Sequence, residues 1–246
     1  MLQIAISSAI TPPNGHYLSL TSQTVIRNYM KKLLLLSALL IFACSSDDEE
    51  LPFYVAENGV TIKARDWVTV GTTADLNGLA YTAVDLPLLK EWINAGNDLS
   101  KVVTTKVNTS ANGSEVAVLF NRDGYGFIDI EGIEGWDVSN WTSFMGLFYS
   151  PKPVGSDLSA WDVSNVTNIS SGFGLGTVNP NINNWDVSNV TTMGLFFFGN
   201  IGEKYIEGMD LSGWNVSNVS NCNSFFGGIT NWPESKKPNF INCNSD

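Results

Sequence analysis

Histidine is almost absent from this chain of 246 residues, since the only one is His16. It precedes the segment that we interpret below as an export signal, so the mature protein would have none. This excludes a Ser-His-Asp triad, a Cys-His pair and a zinc site with histidine ligands. The chain also lacks a phosphate-binding loop and a paired CxxC motif. A catalytic carboxylate pair of the kind that glycosidases use is still formally possible, for example Glu131 and Glu134. We interpret both side chains as solvated groups at the edge of the fold. We therefore predict no catalysis, no cofactor and no metal site.

Long apolar runs are also scarce. Lys31 and Lys32 precede a mostly apolar run of eleven residues, 33–43, which is too short to span a bilayer but typical of a signal peptide. We predict a lipoprotein signal peptide at residues 30–43. Residues 1–29 are then an upstream artefact or an extension of the leader, and either Met1 or Met30 is the true start.

The end of the signal peptide and the next residue, Cys44, form the sequence Leu-Ile-Phe-Ala-Cys, which resembles the lipobox of bacterial lipoproteins. The resemblance implies a diacylated Cys44 at the mature amino terminus. Residues 44–51 continue as an acidic tether that resembles the surface-export signal of bacteroidete-type lipoproteins, although a plain solvated tether is the alternative. We therefore expect an outer-membrane protein, lipid-anchored at the cell surface.

Positive charge is scarce after this point. Because Arg27, Lys31 and Lys32 precede Cys44, the mature chain would have 24 acidic and 10 basic residues, a net charge of about −14. Such a surface repels nucleic acid, so we predict no nucleic-acid partner.

A pentad of sequence Trp-Asp/Asn-Val-Ser-Asn occurs four times in the second half of the chain, at intervals of 25, 24 and 29 residues. The four pentads are 136–140, 161–165, 185–189 and 214–218. Self-similarity at such a period is typical of a stacked repeat protein. In the unit Leu158 to Ile169, apolar residues follow the spacing LxxWxVxxVxxI. The Trp-x-Val step predicts a short parallel strand centred on residues 161–163.

This LSxWDVSNVTxM pattern resembles the BspA-like leucine-rich-repeat surface proteins. The resemblance implies a repeat solenoid, a leucine-rich-repeat-like right-handed coil with short parallel β-strands. We assign it to residues 98–231, where residues 98–107 align with 157–166 as a divergent first coil.

Both ends of the solenoid need caps that cover its apolar layers. Residues 52–97 are predicted to form a β-hairpin plus helix N-terminal cap, with Asp85, Pro87 and Gly96 bracketing the helix. An independent small binding domain is the alternative. Residues 232–246 are predicted to form a C-terminal cap. Cys222 is either joined to Cys243 by a disulfide or a reduced core residue.

One outward-facing residue in each predicted strand forms the candidate binding row. This row consists of Asp137, Asp162, Asp186 and Asn215. Two explanations compete: each side chain accepts hydrogen bonds from neighbouring groups and fixes the turn, or the row binds a basic protein, a glycan or calcium. The asparagines that end the pentads are expected to satisfy backbone groups within turns.

Together these features predict a surface-anchored, non-enzymatic lipoprotein that mediates adhesion or binding to an extracellular protein. The alternative is an accessory glycan-binding lipoprotein of an outer-membrane polysaccharide-capture system. Glycan binding predicts solvent-facing aromatic rings along a groove, for which Trp141 and Trp232 are the first candidates because both break the repeat pattern.

Overall fold

Two antiparallel hairpins come first among the residues that the computed structural model describes. The structure describes residues 50–110, 116, 119–122, 126–127, 130–148, 157–173, 180–197, 208–227 and 229–245. All elements named below belong to one compact unit, Leu51–Asp246. The leader, residues 1–43, and Cys44 lie outside the described residues.

The first hairpin pairs β1, Phe53–Val55, with β2, Ile62–Ala64. The second pairs β3, Thr73–Leu76, with β4, Leu79–Ala83. Its turn is Asn77-Gly78, and both residues have positive φ, 57° and 83°, as a two-residue type I′ turn requires. Asn58-Gly59 lies in the turn of the first hairpin, where the Gly59 amide donates to the Ala56 carbonyl at 2.9 Å.

Helix α1, Leu86–Asn94, follows the second hairpin and confirms the predicted helix. The Asp85 carboxylate accepts a hydrogen bond from the backbone amide of Leu88, which satisfies one of the free amides of the first turn. The helix buries Leu89 and Ile93. A 3₁₀ turn, Leu99–Lys101, leads into β5, Val102–Val103, which pairs in parallel with β4.

The prediction of a right-handed, leucine-rich-repeat-like solenoid with short parallel β-strands is wrong. Among the described residues the regular strands form three small sheets of two, three and two strands, the last made by β6, Asn121–Arg122, and β7, Gly126–Phe127. Within the described pentads there is no strand, and the predicted strand at residues 161–163 is absent. In the part of the repeats that the structure describes, β-type parallel pairing consists of five isolated bridges, such as Asn168 with Thr192.

Local hydrogen bonds explain why the pentads turn instead of extending. The Trp161 amide donates to the Leu158 carbonyl at 3.1 Å, and the Val166 amide donates to the Val163 carbonyl at 2.9 Å. The amide of Ser164 donates to the Asp162 carboxylate at 3.1 Å. These amides are therefore unavailable to a neighbouring strand, and the side chain of Asp offers the backbone an alternative to a sheet ladder.

Successive repeats are joined by backbone hydrogen bonds, such as that from the Phe144 amide to the Asn168 carbonyl at 2.8 Å, and also by side chains. Each pentad tryptophan donates its indole N–H to a buried carbonyl of the preceding repeat, as Trp185 does to Leu158 at 2.9 Å. The other three bonds run from Trp136 to Leu99, from Trp161 to Ile133 and from Trp214 to Ile182, at 3.0, 3.0 and 3.2 Å. The tryptophans thus lie in the core and satisfy backbone acceptors there.

Two apolar cores hold the described residues together. The larger core extends from α1 through the repeats to Trp232 and contains all four pentad tryptophans and the phenylalanines that follow them. The smaller core lies under the hairpins and includes Phe53, Leu76 and Tyr81. Phe148 and Phe173, one repeat apart, stack with ring centroids 4.9 Å apart.

The C-terminal segment packs against the last repeat. Cys243 forms a disulfide with Cys222, whose side chain is also fully buried in the core. The ring of Phe240 lies 5.1 Å from that of Phe225, and the Lys236 carbonyl accepts a hydrogen bond from the Leu211 amide. This segment therefore covers apolar side chains of the last repeat that water would otherwise reach.

Candidate binding surface

The candidate binding row is built from four copies of one turn. In the second pentad, the Asp162 Oδ1 atom accepts hydrogen bonds from the Ser164 amide at 3.1 Å and from its hydroxyl at 2.6 Å. Asn215 accepts the same two bonds from Ser217, at 3.3 and 2.8 Å. These contacts confirm that the side chains fix the turn. Asp162, Asp186 and Asn215 remain exposed to solvent.

Asp137 differs from the rest of the row because it is only 3% exposed. Its Oδ1 atom accepts hydrogen bonds from Ser139 and lies 3.4 Å from the ammonium group of Lys63 on β2. The Lys63 ammonium also lies 3.4 Å from the Ser139 hydroxyl oxygen. Sequence reasoning missed this lysine, since nothing local indicates a contact across more than 70 residues.

A second row of aspartates lies in the Asp-Leu-Ser steps, two of which come just before a pentad. This row consists of Asp98, Asp157 and Asp210. Each carboxylate accepts a hydrogen bond from the amide of the serine two residues later, at 3.0 to 3.1 Å. Chiefly because of the serine hydroxyls, the pKa of each of these carboxyls is lowered from its ordinary value. Hydrogen bonds from Ser188 lower the pKa of Asp186 in the same way.

These lowered pKa values predict that stability falls in acid. A carboxyl whose pKa is lower in the folded state stabilises the fold above its unfolded pKa of about 3.9, and this contribution is lost as pH falls through the folded value. We expect the urea midpoint of unfolding to be constant from pH 7 to 5 and to decrease below about pH 4. Replacing Ser159 with alanine should raise the Asp157 pKa in a carboxyl NMR titration. An unchanged titration would contradict the role given to that hydroxyl.

A cleft of about 650 Å³ lies beside an irregularity in the second row. Gly132 occupies the position at which the other repeats have Asp or Asn, and its φ is 90°. A Cβ atom on residue 132 would lie 2.5 Å from the Cβ atom of Ser100. Only glycine fits this position. Asp98, Glu131 and Glu134 all line the cleft. No group of three potential metal ligands in the described part of the chain is arranged to hold a metal ion.

The pentad asparagines bind backbone carbonyls of the preceding repeat. Asn165 donates its amide to the Ser139 carbonyl at 2.8 Å, and Asn189 donates to the Ser164 carbonyl at 2.7 Å. Asn140 and Asn218 bond in the same way to Thr105 and Ser188, at 2.9 and 2.7 Å. Asn242, which lies outside any pentad, continues the series by binding the Ser217 carbonyl at 2.7 Å. The expected role in satisfying backbone groups is confirmed, although the bonds run between repeats.

Among the side chains that the structure describes, few aromatic rings are exposed. Trp141 and Trp232, the candidates for a glycan groove, are 0% and 3% exposed. Neither indole N–H has a partner among the described residues. Trp67, at 57% exposure, is the one tryptophan that projects into solvent. The aromatic groove expected of glycan binding is therefore not formed by Trp141 and Trp232.

No helix in the described part of the chain is long and apolar enough to cross a membrane. Residues 118–238 match a protein family described as "Mycoplasma protein of unknown function, DUF285". This match includes all four pentads and slightly less than half of the chain. No curated protein and no solved structure matches the chain. The similarity therefore concerns the repeat region, and the resemblance to BspA-like proteins stays a prediction.

Proposed function

We propose that this chain is a non-catalytic binding module that attaches to an extracellular protein through the exposed part of its candidate binding row. In this proposal the lipid on Cys44 anchors the module to the outer membrane, at the cell surface. The observation that carries the proposal is the repeated Asx-Ser turn, which holds Asp162, Asp186 and Asn215 in fixed, exposed positions. A binding surface whose polar groups are already ordered loses less entropy when a partner arrives.

Charge and aromatic content support a protein partner over a glycan. Glycan recognition is expected to use exposed rings, whereas the row itself presents only carboxylate, amide and hydroxyl groups. Trp67, the exposed indole, lies outside the row. The acidic surface favours a partner with basic groups, because opposite charges steer association.

An array of extracellular matrix proteins and glycans, probed with the full chain, tests this function. We expect binding to protein spots that weakens at high salt, because exposed charges are screened. The Trp67→Ala variant should bind the same spots as the unaltered chain. Absence of binding to every protein, or binding to glycans that Trp67→Ala abolishes, would overturn the proposal.

A further inference from the structure

One of the four Asx-Ser turns already holds a lysine. The Lys63 ammonium lies 3.4 Å from both the Asp137 Oδ1 atom and the Ser139 hydroxyl oxygen. Lys63 is the central residue of β2, so an extended segment presents this lysine to the turn. The structure therefore contains one example of an Asx-Ser turn that binds a lysine side chain, and this lysine is on an extended strand.

The turns at Asp162 and Asp186 repeat this arrangement without a lysine. The Asp162 Oδ1 atom and the Ser164 hydroxyl are 2.6 Å apart, the same distance as between Asp137 and Ser139. In the described part of the chain, no lysine or arginine forms an ion pair with either exposed carboxylate. Both turns therefore offer to solvent the same oxygen atoms that bind Lys63.

We propose that the turns at Asp162 and Asp186 bind lysine side chains on an extended segment of a partner protein, as the turn at Asp137 binds Lys63. This inference rests on the proposed function and names the chemistry of its partner. It specifies that the partner binds through a primary ammonium group and that the partner segment is extended.

The turn geometry favours lysine over arginine. A guanidinium prefers two free oxygens of one carboxylate, which it binds in parallel. Here the serine already donates two hydrogen bonds to the Oδ1 atom of Asp162. An ammonium group is a compact point charge that can approach one carboxylate oxygen and the hydroxyl together, as Lys63 does.

The distance between successive turns is also compatible with an extended partner segment. Lysines at alternate positions of a strand are about 6.8 Å apart. The rings of Trp161 and Trp185, which directly precede the two aspartates, have centroids 6.4 Å apart. The flexible four-carbon stem of lysine can make up the small difference. Two lysines at alternate positions can therefore reach two successive turns.

Fluorescence anisotropy with a labelled peptide of alternating lysine and threonine tests this inference on the full chain. Replacing both Asp162 and Asp186 with asparagine should weaken binding about fivefold at low salt, because exposed ion pairs are individually weak. Asparagine preserves the turn, as Asn215 shows. Replacing Asn215 with aspartate adds one carboxylate to the row and should strengthen binding about twofold.

Replacing both Asp157 and Asp210 with asparagine is the matched control, since it removes the same number of charges from second-row turns whose carboxylates already have another partner. Asn181 donates to Asp157 at 3.0 Å, and the positive charge of Lys236 acts on Asp210. This control should change the affinity less than twofold, and a peptide with arginine for lysine should bind more weakly than the lysine peptide. The inference would be overturned if the two double variants lost the same affinity for the lysine peptide. It would also be overturned if the arginine peptide bound more tightly than the lysine peptide, or if the lysine peptide did not bind. Circular dichroism and thermal unfolding verify that each variant folds.

The two proposals can fail separately. If the chain binds array proteins and the Asp162 and Asp186 double variant binds them equally well, the lysine inference fails while the protein-binding function stands. If the unaltered chain binds no array protein, the proposed function fails.

Discussion

Replacing Trp185 with alanine is expected to lower the free energy of unfolding by roughly 3 to 5 kcal/mol, as large-to-small changes in a packed core do. Trp185 is 4% exposed, and its ring stacks on that of Trp161 with centroids 6.4 Å apart and planes within 5° of parallel. It also contacts the rings of Phe144 and Phe173. Urea denaturation followed by tryptophan fluorescence measures the loss.

Replacing tryptophan with phenylalanine separates the hydrogen bond from the packing. Trp185→Phe removes the indole donor to the buried Leu158 carbonyl, whereas Trp141→Phe removes an indole N–H that has no partner among the described residues. Both side chains are buried. We expect Trp185→Phe to cost about 1 kcal/mol more than Trp141→Phe, the net value of one hydrogen bond. Equal costs would contradict a stabilising role for the bonds between repeats.

The sequence could predict the turns, the helix and the buried side chains, because these depend on neighbouring residues. Asn77 and Gly78 adopt the positive φ that their turn requires, and Asp85 caps the helix as its position indicated. Trp161 and Val163 are both buried, as their spacing suggested. Local chemistry therefore specified these features.

The alternate spacing of Trp161 and Val163 also led to the wrong prediction of a strand. Two buried residues separated by one exposed residue occur in a strand and equally in an Asx turn, so burial alone cannot distinguish the two. Asp162 and Ser164 decide in favour of the turn, because their hydrogen bond occupies the backbone amide after the valine. The polar residues of the pentad thus specify the backbone conformation, and the apolar residues specify only which side is buried.

The contact of Lys63 with the binding row could not be predicted, because it depends on how the first hairpin lies against the repeats. Asn58, in the turn of that hairpin, donates to the Ala160 carbonyl across 102 residues, and the Ala64 amide donates to the Thr105 hydroxyl. Such contacts leave no periodic pattern in the sequence from which they could be predicted. They place Lys63 over the first member of the row and leave the later members open.

Replacing Lys63 with methionine is expected to lower the free energy of unfolding by about 3 kcal/mol, since it leaves the buried Asp137 carboxylate without its cation. The second oxygen of this carboxylate has no hydrogen-bond partner in the described part of the chain, so the lysine carries much of the compensation for its burial. Urea denaturation at pH 7 measures the loss. Lys106→Met is the matched control, because in the described part of the chain the Lys106 ammonium donates to the exposed backbone carbonyl of Asp66 and forms no ion pair. It should cost less than about 0.5 kcal/mol.

Adding Asp137→Asn to the Lys63→Met variant should restore most of the lost stability. The substitution removes the buried charge, while the amide oxygen can still accept the hydrogen bonds of Ser139, as Asn215 does from Ser217. A buried neutral amide costs far less than an unpaired carboxylate. If Lys63→Met costs no more than Lys106→Met, or if the double variant is as unstable as Lys63→Met alone, Lys63 does not neutralise Asp137. The internal example on which lysine binding by the exposed turns is based would then be lost.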